Sequence, residues 1–146
     1  MGFLSSLFKK GEDPDRYCSD PVLGPLSWSE EDEAWLGEFN GLKFSLPYSR
    51  LRQPSETAVA YAREVLSDPE WLYSTLAEEK RRRIEKYGPK IAELHGAEVR
   101  SLSFGRIHFF IRKGRRILAD LEGGKDFRCW RIEYADKQCH GIGFDT

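Results

Sequence analysis

The apolar positions of this chain change period twice, which divides it into three stretches. From Leu23 to Leu46 they recur at every second residue: Leu26 and Trp28, then Trp35, Gly37 and Phe39, then Leu42, Phe44 and Leu46. A period of two puts one set of side chains on one face of a pleated strand. Asn40-Gly41 stands between the last two runs. It is the pair that a two-residue hairpin turn demands, because both central residues of that turn take positive φ. The pattern predicts a strand over 25–28, an acidic turn over 30–33 and a hairpin centred on Asn40-Gly41. Pro47 ends it, since proline has no N–H to give to a ladder.

From Pro54 the period lengthens to that of a helix. Ser55 suits an N-cap, and Ala58, Val59, Ala62, Val65 and Leu66 form one stripe behind it. Asp68-Pro69-Glu70 predicts a second start, with Asp68 as the cap and Pro69 in the first helical position. That second helix carries Trp71, Leu72, Leu76, Ile84 and Tyr87 and is expected to break at Gly88-Pro89, with a short third turn over 90–94 stopping at Gly96. From Glu98 the period returns to two. Ile107, Phe109 and Ile111, then Ile117, Ala119 and Leu121, then Trp130, Ile132 and Tyr134 alternate with polar residues, and a last strand follows over 139–144. Turn residues separate them at Lys113-Gly114, Gly123-Gly124 and Asp136-Lys137. Strands, then helices, then strands predict an α+β fold with a mostly antiparallel sheet. The expected parts are an N-terminal hairpin, a C-terminal meander of four to five strands, and two to three helices packed as one layer.

Ahead of these, Phe3, Leu4, Leu7 and Phe8 fall at helical spacing before Lys9-Lys10. Residues 1–19 are expected to be a short amphipathic segment and linker, and residues 20–146 one domain. One and a half apolar turns give only weak membrane-surface contact by residues 3–10, and a plain unpartnered terminus is the simpler expectation. At 146 residues with 40% hydrophobic content, the chain has enough apolar area for one core. No run approaches the ~20 apolar residues of a spanning helix. Cys18, Cys129 and Cys139 are an odd, unspaced set with no secretory leader before them. These features predict free thiols in the cytoplasm.

Charge alters the picture more than composition does. Residues 1–79 carry 7 Lys or Arg against 15 Asp or Glu, and residues 80–146 carry 16 against 9, although the whole chain is near neutral at -1. Two candidate surfaces follow. One is the acidic run Glu30, Glu31, Asp32 and Glu33 with Glu38, suited to a basic protein partner. The other is the basic half over 80–131, where Arg81, Arg82, Arg83, Arg112, Arg115 and Arg116 suit nucleic acid, with Phe104, Phe110 and Trp130 available for stacking. Glu78, Glu79 and Glu85 interleave with the first three arginines and weigh against that use.

Reaction chemistry is harder to find. Cys18, His95, His108, Cys129, Cys139 and His140 lack the spacing of a zinc site, so no metal and no cofactor is expected. Cys139 beside His108 or His140 would be the one thiol–imidazole pairing to consider. Gly123-Gly124-Lys125 has no helix after it to aim at a phosphate.

The stretch Asp20-Pro21-Val22-Leu23-Gly24-Pro25-Leu26-Ser27-Trp28, followed by Trp35-Leu36-Gly37, resembles a bacterial family classed only as a domain of unknown function. The likeness rests on an Asp-Pro-x-x-Gly-x-Leu-x-Trp opening, a Trp-x-Gly strand, a helical middle and a β-rich end. Those relatives often carry a Gly-His pair late in the meander, where this chain has His140-Gly141, so no functional residue carries over. The resemblance implies a bacterial binding protein, of the kind encoded among toxin and immunity genes. The sequence therefore favours a non-enzymatic protein-binding domain. Nucleic-acid binding and a small enzyme with a site not visible in the sequence are the alternatives.

Overall fold

The computed structural model describes residues 15–125 and 127–145, so the amphipathic segment 3–10 lies outside the described residues. Eight strands form one sheet: β1 (Tyr17–Asp20), β2 (Gly24–Ser29), β3 (Ala34–Phe39), β4 (Leu42–Leu46), β5 (Ser103–Phe110), β6 (Arg116–Glu122), β7 (Cys129–Ala135) and β8 (Gln138–Asp145). They lie side by side in chain order. The first four are an antiparallel meander and so are the last four, while β4 and β5 run parallel. A parallel pair needs a long crossover. Helices α1 (Glu56–Ser67), α2 (Glu70–Glu85) and α3 (Pro89–Ser101) supply it.

The α+β class and the mostly antiparallel sheet match the sequence reading, but the N-terminal part is a four-stranded meander rather than a hairpin. β1 is the strand not foreseen. Asp20 makes its turn into β2, because its Oδ2 accepts from the backbone N–H groups of both Val22 and Leu23 at 2.9 Å. Gly24 then takes φ +81°, open to glycine at no steric cost. The Asp-Pro-x-x-Gly opening is thus a turn motif. Asn40 and Gly41 both have positive φ, as their hairpin requires.

Ser55 caps α1, its Oγ accepting from Ala58 N–H at 3.3 Å. Asp68 does not cap α2. It ends α1 in an irregular conformation, and the Pro69 carbonyl begins the next helix by accepting from Leu72 and Tyr73. Nor does the chain turn at Gly96. α3 runs through it for 13 residues. A mid-helix glycine costs about 1 kcal/mol, and burial of the apolar Val99 and Leu102 at the end of α3 offsets it.

The core lies on one face of the sheet. Tyr61 of α1 stands edge-on to Phe109 with ring centroids 5.4 Å apart, and Trp71 of α2 does the same to Tyr134 at 5.3 Å. Thr75 Oγ1 lies 2.9 Å from Tyr134 Oη, and Glu98 of α3 accepts from Trp130 Nε1 at 3.0 Å. Trp35 is fully buried and donates through Nε1 to the Arg52 carbonyl at 3.0 Å. All three helices meet this face. No described element packs on the other. Among the described residues, no helix is long and apolar enough to cross a membrane.

Candidate functional site

Strand register assembles the uncovered face. Ser27, Leu36, Ser45, His108, Leu118, Glu133 and Gly141 are successive cross-strand partners from β2 to β8, so they form one row across the sheet. Glu38, Lys43 and Arg106 form a second, shorter row, and Asp120, Arg131 and Gly143 continue its direction beyond the bulge in β5.

At the middle of the face three polar side chains join three strands. Ser45 Oγ lies 2.6 Å from His108 Nδ1, and His108 Nε2 lies 2.9 Å from Asp120 Oδ2. Ser45 is the direct partner of His108, while Asp120 is two residues past Leu118, within diagonal reach of the imidazole. The carboxylate accepts from Nε2–H, and in the neutral ring this tautomer has Nδ1 accepting from the serine hydroxyl. This order of groups would suit nucleophilic catalysis if Ser45 were accessible, but Ser45 is only 5% exposed. β4 and β5 are also paired on both sides, so their N–H groups serve the ladders rather than a developing oxyanion. The geometry fixes the imidazole in place.

At one end of the face lies a cavity of about 420 Å³. Phe110 and Leu118 give it apolar lining, Arg112, Lys113 and Arg116 give it basic lining, and Glu133 and His140 also line it. Phe110 stacks on His108 with centroids 6.5 Å apart, so the cavity adjoins the hydrogen-bonded row. His140 reaches it through a bulge: Glu133 pairs with Gly141 and Tyr134 with Cys139, which leaves His140 as the extra residue. A larger cavity of about 570 Å³ lies between β1 and α1. Its buried charge, Asp20, is held by Arg63 and the two turn N–H groups. Burial pushes that carboxyl up, yet those three donors outweigh it and hold it below the usual carboxylate range.

The acidic candidates do not form one surface. Glu30 pairs with Arg52 at 3.2 Å, and Asp32 lies 3.5 Å from Arg106 and accepts from Ser29. Glu31 and Glu33 stay in the same turn, whereas Glu38 stands at the opposite end of β3 on the uncovered face.

The basic candidates separate as well. Arg81 is clamped by Glu78 and Glu85, both at 2.6 Å, and Arg82 by Glu78 and Glu79. Arg83 points inward, donating to Tyr87 Oη at 2.8 Å and to the Ile142 carbonyl at 3.0 Å. Neighbouring Lys80 caps α3 by donating to the carbonyls of Arg100 and Leu102. Arg115 pairs with Glu64 at 2.8 Å and stacks on Tyr61 of α1. Among the described residues, Arg112 and Arg116 come together without a carboxylate between them, joined by Lys113 at one cavity.

Cys139 is brought to neither histidine of the earlier pairing. It packs toward the core opposite Tyr134, and His108 is three strands away on the other face, about 14 Å by strand spacing alone. No group of three or more His, Cys, Asp or Glu suited to a metal occurs among the described residues.

The chain matches no protein-family model, no curated protein and no solved structure.

Proposed function

We propose that this is a non-enzymatic protein that binds another protein through the uncovered face of its sheet. The observation that carries the reading is the face itself. Seven adjacent strands present one row of groups, charges of both signs surround Leu36, Leu118 and Phe110, and no described element lies over them. Mixed polarity around a small apolar centre is the composition of a protein–protein interface. The Ser45–His108–Asp120 hydrogen bonds hold that surface in one shape, which lowers the ordering cost of binding.

We place the contact on the sheet face rather than on the acidic turn, where Glu30 and Asp32 already have partners within the chain. Nucleic acid is disfavoured by the division of the basic residues between the helices and the far end of the sheet. Among protein partners, a toxin neutralised by binding is the class that the family resemblance implies, and a cytoplasmic setting is supported by thiols that form no disulfide.

The test is affinity capture of the tagged protein in the organism that encodes it, using wild type, the face variant Lys43→Glu/Arg131→Glu and the helix-surface variant Arg81→Ala. A protein captured by wild type and Arg81→Ala but lost from the face variant supports the reading. Identical capture by all three contradicts it.

A further inference from the structure

We infer that the cavity between the β5–β6 turn and β8 is an anchor for a short acidic segment of the partner, carboxylates flanking one apolar side chain. This rests on the protein-binding reading above and gives that partner its chemistry.

Among the described residues, three cations without a carboxylate partner meet at this cavity, whereas many of the chain's arginines are already paired. Arg52, Arg81, Arg82, Arg115 and Arg131 each hold a carboxylate. Arg112, Lys113 and Arg116 hold none among the described residues, although they line a single cavity. Like charges so placed repel one another, and an incoming carboxylate relieves that repulsion while gaining the attraction of all three. The turn that carries them is set by Lys113 at φ +57° and Gly114 at φ +100°, so the spacing of the cations is a property of the backbone.

The apolar lining defines the middle of the ligand. Phe110 is 43% exposed, and its stacking on His108 presents the ring in one orientation. A cavity of about 420 Å³ has room for a few side chains. Glu133, beside Leu118 in the register, lines the same cavity and repels carboxylates, which favours their placement at Arg112, Lys113 and Arg116. Its presence also argues against a phosphate backbone, which needs a basic track continuing past the cavity. Beyond this one the cations of the face alternate with carboxylates, Lys43 beside Glu38, Arg106 with Asp32, and Arg131 with Asp120 and Asp145, so no continuous basic track forms among the described residues.

Nuclear magnetic resonance titration of the full chain tests this with three probes: a capped peptide of sequence EELEE, its counterpart KKLKK, and a short oligothymidylate. EELEE is expected to move the amide signals of Phe110, Arg112, Lys113, Arg116 and His140, with binding that weakens as salt rises. Arg112→Gln/Arg116→Gln, which keeps the side-chain bulk, is expected to weaken it by about tenfold or more. Equal shifts with KKLKK, no shifts with EELEE, or tighter binding of the oligothymidylate each overturn the assignment. If the capture experiment yields a partner that the face variant loses but Arg112→Gln/Arg116→Gln retains in full, the anchor is wrong and the protein-binding reading survives. If EELEE binds at the cavity while capture shows no dependence on the face, the protein-binding reading fails and the site stands.

Discussion

Ser45 Oγ lies 2.6 Å from His108 Nδ1 across the junction of β4 and β5, the parallel pairing that joins the two meanders. The hydroxyl is buried and the imidazole is tied to Asp120 on its other side, so the pair is a fastening between the halves of the sheet. Ser45→Ala removes the donor to Nδ1 and is expected to cost ~1 kcal/mol in urea denaturation while leaving the fold intact. A variant as stable as wild type would show that the bond contributes nothing.

Glu98 is the buried counterpart on the helix side. Its carboxylate accepts from Trp130 Nε1, from the Lys125 backbone N–H and from Arg128. Burial alone would raise its pKa, but the three donors together hold it below the ordinary range. Its folded value is therefore lower than its unfolded one. The stability it gives is present above the unfolded value of ~4.3 and is lost as pH falls through the lowered folded value. Asp20 acts in the same direction. The melting temperature should stay level from neutral pH to about 5 and fall below about 4. Glu98→Gln should lower it at neutral pH and flatten the acid limb. Unchanged acid dependence in that variant would contradict the assignment.

Arg81 and Arg83 are near neighbours in α2 with opposite fates. Arg81 is held by two carboxylates at the exposed surface, where ion pairs contribute little. Arg83 stacks on Trp130 and Phe144 and donates to the Ile142 carbonyl. In parallel urea denaturations, Arg81→Ala should leave the midpoint unchanged, and Arg83→Ala should cost ~1 to 2 kcal/mol through lost packing and the lost hydrogen bond. Equal midpoints for the two variants would contradict this.

The thiols should separate by burial. Burial, and then the neighbouring Asp20 charge, push Cys18 up to about 11, and burial also raises Cys139, whereas Cys129 is exposed. A maleimide at neutral pH is expected to label Cys129 first and Cys18 only after unfolding. Mass spectrometry of the labelled protein reads the order directly, and early labelling of Cys18 would contradict the packing of β1.

Much of the fold was legible where local chemistry decides it. Asn40-Gly41, Ser55 and the alternation around Phe109 and Ile132 each specify their own neighbourhood. β1 was not legible, because Tyr17-Cys18-Ser19-Asp20 has no apolar alternation and its turn depends on where the Asp20 carboxylate points. Gly96 misled as a stop because the residues that sustain α3, Glu98 and Val99, are held by tertiary contacts. The face was the least legible part. Ser45 and His108 are 63 positions apart, and only the parallel register after three helices makes them partners. A bulge that re-aims His140 leaves no trace in the sequence pattern. The basic residues misled for the opposite reason, since adjacency in sequence at Arg81, Arg82 and Arg83 split into two environments in space, the first two in exposed pairs that share Glu78 and the third turned inward.

The most direct test of a protein partner on the uncovered face is site-specific photocrosslinking in the organism that encodes the chain. A photoreactive residue replaces Leu118, in the row across the face between His108 and Glu133, in one experiment and Arg81 on the outer surface of α2 in the other. A discrete protein adduct from position 118 and none from position 81 is the predicted result. No adduct from position 118, or the same adduct from both, would contradict the account.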